Sequence, residues 1–173
     1  MEKTLRLARE LQTDSIVDGI GLRTVLWLQG CTHDCLGCHN PSTHAVDGGI
    51  EVALSDVIHE IKGCRYQSGL TLSGGEPFLQ ASSLVEVVKE VRSSSFNIWA
   101  YSGFTFEELL AKEEYKQLLS YIDILVDGRF CIEQKDERLQ YKGSKNQRII
   151  DVQRSIQEGY VVISCYDDVN NAL

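Results

Sequence analysis

The feature that most constrains this chain is the stretch Cys31-Thr32-His33-Asp34-Cys35-Leu36-Gly37-Cys38, in which three cysteines are spaced C-x-x-x-C-x-x-C. It follows an apolar run, Thr24-Val25-Leu26-Trp27-Leu28, that reads as a buried strand, and Asn40-Pro41-Ser42 closes the loop. Any fold for this chain must therefore crowd three thiols onto one short loop at the end of a strand. The sequence holds six cysteines in all, and Cys64, Cys131 and Cys165 stand alone. The first residues, Met1-Glu2-Lys3-Thr4-Leu5-Arg6, lack the apolar core of a signal peptide. A cytosolic location is the expectation. There, cysteines serve as metal ligands, redox groups or small core residues rather than as a disulfide framework.

Three thiolates on one loop can each hold one iron of a cubane cluster. A fully protein-ligated [4Fe–4S] centre takes four cysteines. Three leave one iron with an open coordination position, which is how a metal site does chemistry rather than only holding a fold. The competing reading is zinc, bound by Cys31, Cys35, Cys38 and one of His33 or His39. Structural zinc sites usually combine two separated ligand pairs, and no second pair exists here.

A length of 173 residues predicts a single domain over 1–173, too short for an eight-unit barrel of about 250 residues. The formal net charge of −8 argues against nucleic acid as a general partner. No apolar run approaches the roughly 20 residues of a membrane span. Glycines between Ser15 and Gly21 predict a turn or hairpin before a strand at Arg23–Leu28. Leu54, Val57, Ile58 and Ile61 fall at helical spacing, as do Leu84, Val87, Val88 and Val91, with Ser82 or Ser83 as the cap of the second helix. Leu70–Leu72, Phe96–Tyr101 and Tyr121–Val126 read as strands. Thr105-Phe106-Glu107-Glu108 has the capping-box form and opens another helix. Glu133–Leu139 reads as an exposed loop or short helix, Ile150–Glu158 as a helix stopped by Gly159, Tyr160–Cys165 as a last strand, and the tail from Asp167 as mobile.

Alternation of this kind predicts an α/β fold with parallel strands joined by right-handed crossovers. The cysteine loop, Gly74-Gly75-Glu76, Ser102-Gly103 and Asp127-Gly128 then all follow strand C-terminal ends. Those ends share one rim, and that rim carries the active site in parallel α/β folds.

The cysteine loop after one strand, with Ser73-Gly74-Gly75-Glu76-Pro77 after a second, resembles the radical S-adenosylmethionine (SAM) superfamily. Four stretches narrow the likeness: Asp18-Gly19-Ile20-Gly21-Leu22-Arg23, Gln29 through Thr43, Asp127-Gly128-Arg129-Phe130, and Gly143-Ser144-Lys145-Asn146-Gln147-Arg148. Together they resemble the anaerobic ribonucleoside-triphosphate reductase activating proteins, from about Ser15 to Asp151. The resemblance implies a partial, incomplete parallel β/α barrel of the radical SAM type. It implies two cofactors, a [4Fe–4S] cluster on Cys31, Cys35 and Cys38, and SAM chelating the open iron.

The Ser73–Glu76 loop would hold the methionyl part, with Gly74 and Gly75 allowing close approach and Glu76 accepting a hydrogen bond from the ammonium group. Read alone, that loop is also an ordinary tight turn. Many radical SAM proteins carry an aromatic residue where Gly37 stands. The reductase activators have glycine there and an aromatic residue or histidine after the third cysteine, which His39 fits. Ser102, Asp127 and Arg129 would complete the SAM site, Arg129 pairing with its carboxylate and Asp127 meeting the ligand or a cation; ordinary salt bridging explains Asp127 and Arg129 equally well. Arg23, Asn146, Gln147 and Arg148 match the family without a chemical role.

The implied partners are the catalytic subunit of an anaerobic ribonucleotide reductase, which receives a glycyl radical, and a reductant such as flavodoxin or ferredoxin. Other readings are a radical SAM enzyme acting on another glycyl-radical enzyme, one acting on a small molecule such as a deazapurine precursor, and a non-catalytic metal-binding module.

Overall fold

The computed structural model describes residues 3–171. The chain opens with β1 (Thr4–Leu7), β2 (Gln12–Ser15) and β3 (Arg23–Leu28). β4 (Ile50–Ala53) runs straight into α1 (Leu54–Gly63). Then come β5 (Gly69–Gly74), α2 (Ala81–Val91), β6 (Asn97–Tyr101), α3 (Phe106–Leu110), α4 (Glu113–Leu119) and β7 (Ile124–Asp127). β8 (Arg148–Asp151), α5 (Val152–Glu158) and α6 (Asp168–Asn171) complete the described chain.

One sheet holds all eight strands, in the order β4-β1-β3-β5-β6-β7-β8, with β2 also paired to β3. The fold is α/β, but the all-parallel expectation needs correction. Only the pairings among β3, β5, β6 and β7 are parallel. β1 and β2 pair antiparallel to β3, β4 to β1, and β8 to β7. The reason lies in the connections. A parallel return needs a crossover, usually a helix. The segment between β7 and β8 supplies only a short 3-10 turn, Ile132–Gln134, so the chain doubles back.

Side chains alternate across the parallel strands. Leu26, Leu28, Leu70, Leu72, Ile98, Ala100 and Leu125 face one way and join the apolar sides of α1–α5 in the main core. The opposite face carries Trp99, Ile124, Val126 and Ile149, with Tyr101, Tyr141 and Tyr166 against them. All six residues of β3 are buried, as expected of a strand covered on both sides.

The second face also gives the Asp18–Arg23 stretch its role. Arg23 is fully buried and donates to Thr71 Oγ1, Asn97 Oδ1 and the Leu70 carbonyl. Burial lowers its pKa to about 10. Gly19, at φ +134°, lies so close that a Cβ would stand 2.9 Å from the Trp99 ring. The hairpin before β3 is thus laid over a buried guanidinium and an indole.

Several local expectations are met, and others are not. The capping box at Thr105 forms: its side chain accepts from the Glu108 N–H, and Glu108 accepts from the Thr105 N–H. Thr105→Ala should cost about 1 kcal/mol, read as a lowered denaturant midpoint with an unchanged m-value. Gly159 ends α5 in the left-handed conformation. Ser82 and Ser83 do not cap α2. The helix grows out of a 3-10 turn, Pro77–Gln80, whose first N–H groups are already provided for by Glu76.

Ile150 belongs to a strand, not a helix; Asp151 ends β8 and at once caps α5 by accepting from the Arg154 N–H. Tyr160–Cys165 forms no strand, only a bridge from Ile163 to Ile150. The tail is docked as far as Asn171. Asp167 pairs with Lys142 at 2.7 Å, both side chains buried, and Asn170 exchanges hydrogen bonds with the Gln140 backbone. The last two residues of the expected mobile tail, Ala172 and Leu173, lie outside the described residues.

Candidate metal centre and cofactor site

The four loops expected to meet do meet at the C-terminal ends of β3, β5, β6 and β7. A cavity of about 150 Å³ is bordered by Cys31, Cys35 and Cys38, by Ser73, Gly74 and Gly75, by Ser102 and Gly103, and by Gly128. His39, Tyr101, Phe130 and Gln147 also border it. These last four, with Asn40 and Ser73, border a second cavity of about 580 Å³ that continues along the sheet past Asp18, Trp27 and Tyr141.

The cysteine loop is held by backbone contacts. The Gly30 N–H donates to the Thr43 carbonyl and the Cys31 N–H to the His44 carbonyl. Gly37 sits at φ +73°, and a Cβ there would come within 2.6 Å of Ile132 Cδ1. The left-handed backbone, more than the movable Ile132 side chain, accounts for glycine physically.

All three thiols are partly buried and free of disulfide bonds. The Asn40 N–H donates to Cys38 Sγ at 3.4 Å, and the backbone at His33 and at Phe130 favours the thiolates of Cys31 and Cys35. N–H donors aimed at sulfur are what thiolate ligands need. Burial pushes the Cys31 and Cys35 thiols up, and the neighbouring thiols add to the effect. The backbone donors, and at Cys35 the Arg129 charge, pull the other way. A cationic group among the three sulfurs offsets that crowding.

The donor set fits an iron–sulfur cluster. Among the described residues, no three His, Cys, Asp or Glu side chains converge closely enough to hold a single ion. The zinc reading would draw its fourth ligand from His33 or His39. His33 instead engages Glu76 through Nε2 at 2.7 Å, and His39 packs against the Phe130 ring at 4.7 Å.

The remaining expected site residues divide. Ser73, Gly74, Gly75, Ser102 and His39 border the cavity, while Arg129 is exposed next to it. Glu76 stands just behind the residues that border the cavity. Its carboxylate is fully buried and accepts from His33 Nε2, Ser102 Oγ, the Gly103 N–H and the Phe78 N–H. Asp127 is likewise taken, by the Phe106 N–H and by Arg148, whose guanidinium also reaches Glu107. It meets a cation, Arg148, as ordinary salt bridging would have it.

The Gly143–Arg148 stretch gains a role that its sequence alone does not reveal. Asn146 donates to the Arg129 carbonyl and Gln147 to the Gly128 carbonyl. Ser144 Oγ accepts from the Cys131 N–H. The segment laces down the loop after β7 and brings Gln147 to the cavity wall. Tyr101, Phe130 and Gln147 were not singled out as cavity residues. The signal available for Tyr101 was its place at the end of a strand that faces the rim.

The family described as a 4Fe-4S single cluster domain matches residues 17–150 of this chain. The anaerobic ribonucleoside-triphosphate reductase-activating protein of Vibrio cholerae is 38% identical over 142 residues, covering 78% of this chain and 90% of that protein. The protein of the same name from Haemophilus influenzae is 36% identical over the same length and shares. That from Escherichia coli K12 is 35% identical over 140 residues, 76% of this chain and 90% of its own. With three thiols on one rim and likeness of this extent, the chain belongs to the family of anaerobic ribonucleoside-triphosphate reductase-activating proteins, built on a 4Fe-4S single cluster domain.

Proposed function

We propose that this chain is a radical SAM activase, working as one domain, that generates a glycyl radical on an anaerobic ribonucleotide reductase. The observation that carries the reading is the set of three partly buried thiols on the rim where the parallel strands end, beside the Ser73–Gly75 wall. When bound, the [4Fe–4S] cluster supplies the electron that cleaves SAM to methionine and a 5′-deoxyadenosyl radical, which takes a hydrogen atom from the partner's glycine.

The protein's part is positioning and exclusion of water. Cys31, Cys35 and Cys38 would hold the cluster and leave one iron for SAM. Ser73, Gly74 and Gly75 form the facing wall, next to Ser102, and Arg129 stands near Cys35 as the cation for a carboxylate. His39 and Tyr101 border both cavities, between the thiols and the larger space in which a peptide loop could lie. The packing of α1–α5 on one sheet face supports a partial β/α barrel, with the larger cavity on the other face. A partner loop entering there would itself act as the lid. The reductant, such as flavodoxin or ferredoxin, would approach the exposed tip of the cysteine loop at Leu36.

The test is to mix the reduced protein, SAM and the reductase without oxygen and record the radical spectrum. A doublet that collapses when the target glycine carries deuterium at its α-carbon is the expected result. Normal SAM cleavage with no radical on the partner would overturn the reading.

A further inference from the structure

Glu76 is the most heavily engaged carboxylate in the rim, and its partners come from separate loops. His33 lies within the cysteine loop, between Cys31 and Cys35. Its ring Nε2 meets Glu76 Oε2 at 2.7 Å. A residue between two of the three cysteines is thus tied to the loop that follows β5. From the other side, the loop after β6 reaches the same carboxylate through Ser102 Oγ, at 3.0 Å to both oxygens, and through the Gly103 N–H at 2.8 Å.

The fit around the imidazole is tight. A Cβ on Gly103 would stand 2.4 Å from His33 Cδ2, and the Phe104 ring meets His33 edge-on at 4.5 Å. The ring is hemmed in by the Gly103 backbone and the Phe104 ring. The rest of the cysteine loop has no comparable side-chain tie. Asp34 sits at φ +50° with its side chain exposed, and Leu36 and Gly37 are exposed. Three cysteines on one loop can hold a cluster wherever that loop stands. A cofactor that must touch both an iron and the Ser73–Gly75 wall needs the two loops in register.

We propose that the buried His33–Glu76–Ser102 interlock is the device that sets this register. On the reading of the site given above, Glu76 is a positioning residue behind the wall, and through it His33 and Ser102, which also border the cavity, fix the iron left open by Cys31, Cys35 and Cys38 against the wall that receives the methionyl end of SAM. Cutting the interlock should leave cluster assembly intact and uncouple SAM from the cluster. Residues acting behind metal ligands commonly change affinity or activity by about 10–100-fold, and a loss in that range is expected here.

The experiment uses the full chain, reconstituted with iron and sulfide without oxygen, as wild type and as His33→Leu, His33→Gln and Ser102→Ala. Three quantities are read: iron bound per chain, SAM affinity, and the change that SAM causes in the electron paramagnetic resonance spectrum of the reduced cluster. His33→Leu should bind iron as wild type does, bind SAM at least about ten-fold more weakly, and lose the SAM-induced spectral change. His33→Gln, which keeps a donor for Glu76, should recover part of both. Ser102→Ala removes a single hydroxyl and should show the same pattern with smaller amplitude. It keeps the test decisive if the histidine variants fail to fold.

Wild-type SAM affinity and an unaltered spectral response in His33→Leu or Ser102→Ala would overturn the proposal. Iron content falling in step with the SAM response would overturn it too, since the interlock would then be only a prop for the cysteine loop. A wild-type protein whose cluster spectrum ignores SAM would overturn the reading of the site itself, and the interlock with it. That failure shows without any variant.

Discussion

Single replacement of Cys31, Cys35 or Cys38 by Ala should abolish the [4Fe–4S] spectrum and, with it, all cleavage of SAM. The same change at Cys64, Cys131 or Cys165 should leave both in place. The effect is large because the site has no spare ligand. Three protein thiolates are already one fewer than a closed four-cysteine centre. The nearby histidines offer no substitute, since His33 is committed to Glu76 and His39 lies against Phe130. The other cysteines do not border the cavity. Cys64 Sγ donates to the Glu60 carbonyl, Cys131 Sγ to Glu133, and Cys165 is exposed. Iron and sulfide per chain after anaerobic reconstitution, with the visible absorption of the cluster, decide the matter. Stoichiometric zinc with no iron in the wild type would sink the reading at its root.

The contrast between those two groups of cysteines was legible in the sequence, because ligand spacing is a local property. So was the rim. Each strand that ends in a glycine-bearing loop could be placed on one side of the sheet once the strands were read as parallel, and β3, β5, β6 and β7 are parallel.

What could not be read is where long-range partners lie. Glu76 and Asp127 stand in loops at the rim, so both looked like ligand contacts. Yet the neighbours that claim them, His33 and Ser102 for one, Arg148 and the Phe106 N–H for the other, are 21 to 43 residues away in sequence. A buried carboxylate with its hydrogen bonds filled looks, as sequence, just like a free one.

The edges of the sheet were missed for a different reason. β4 and β8 each run into a helix without an intervening turn residue. Ile149 and Ile150, followed by Val152 and Ser155, therefore merge into one pattern that reads as helical. The tail looked mobile because Asp167 and Asn170 are polar. They are nevertheless buried, by pairing with Lys142 and Gln140.

Gly75→Ala should destabilise the protein by about 3 kcal/mol even with no cofactor bound, the upper range for forcing extra volume into a packed site. For a chain of this length that corresponds to a melting temperature lower by about 6–12 °C. The glycines of this loop were first read as making room for a ligand. The structure shows what occupies that room: a Cβ on Gly75 would stand 2.3 Å from the Gly30 carbonyl oxygen, 2.8 Å from its carbon and 3.0 Å from the Thr43 carbonyl oxygen. All three are backbone atoms, so no side chain can swing aside to relieve the clash.

The same backbone carries the ties of the rim. Gly75 N–H donates to Leu28, Glu76 N–H to Gly30 and Gly30 N–H to Thr43. A single methyl group must therefore push the segment leading into Cys31 off the loop after β5, straining the hydrogen bonds between them. Gly63→Ala serves as the control, because nothing lies within 4 Å of its added Cβ. That change should be neutral or stabilising by up to about 1 kcal/mol. Thermal unfolding of the cofactor-free proteins separates the two explanations. If glycine is there only to admit a ligand, Gly75→Ala will melt with the wild type and lose only SAM affinity. If the chain's own backbone demands it, the melting point falls before any cofactor is added.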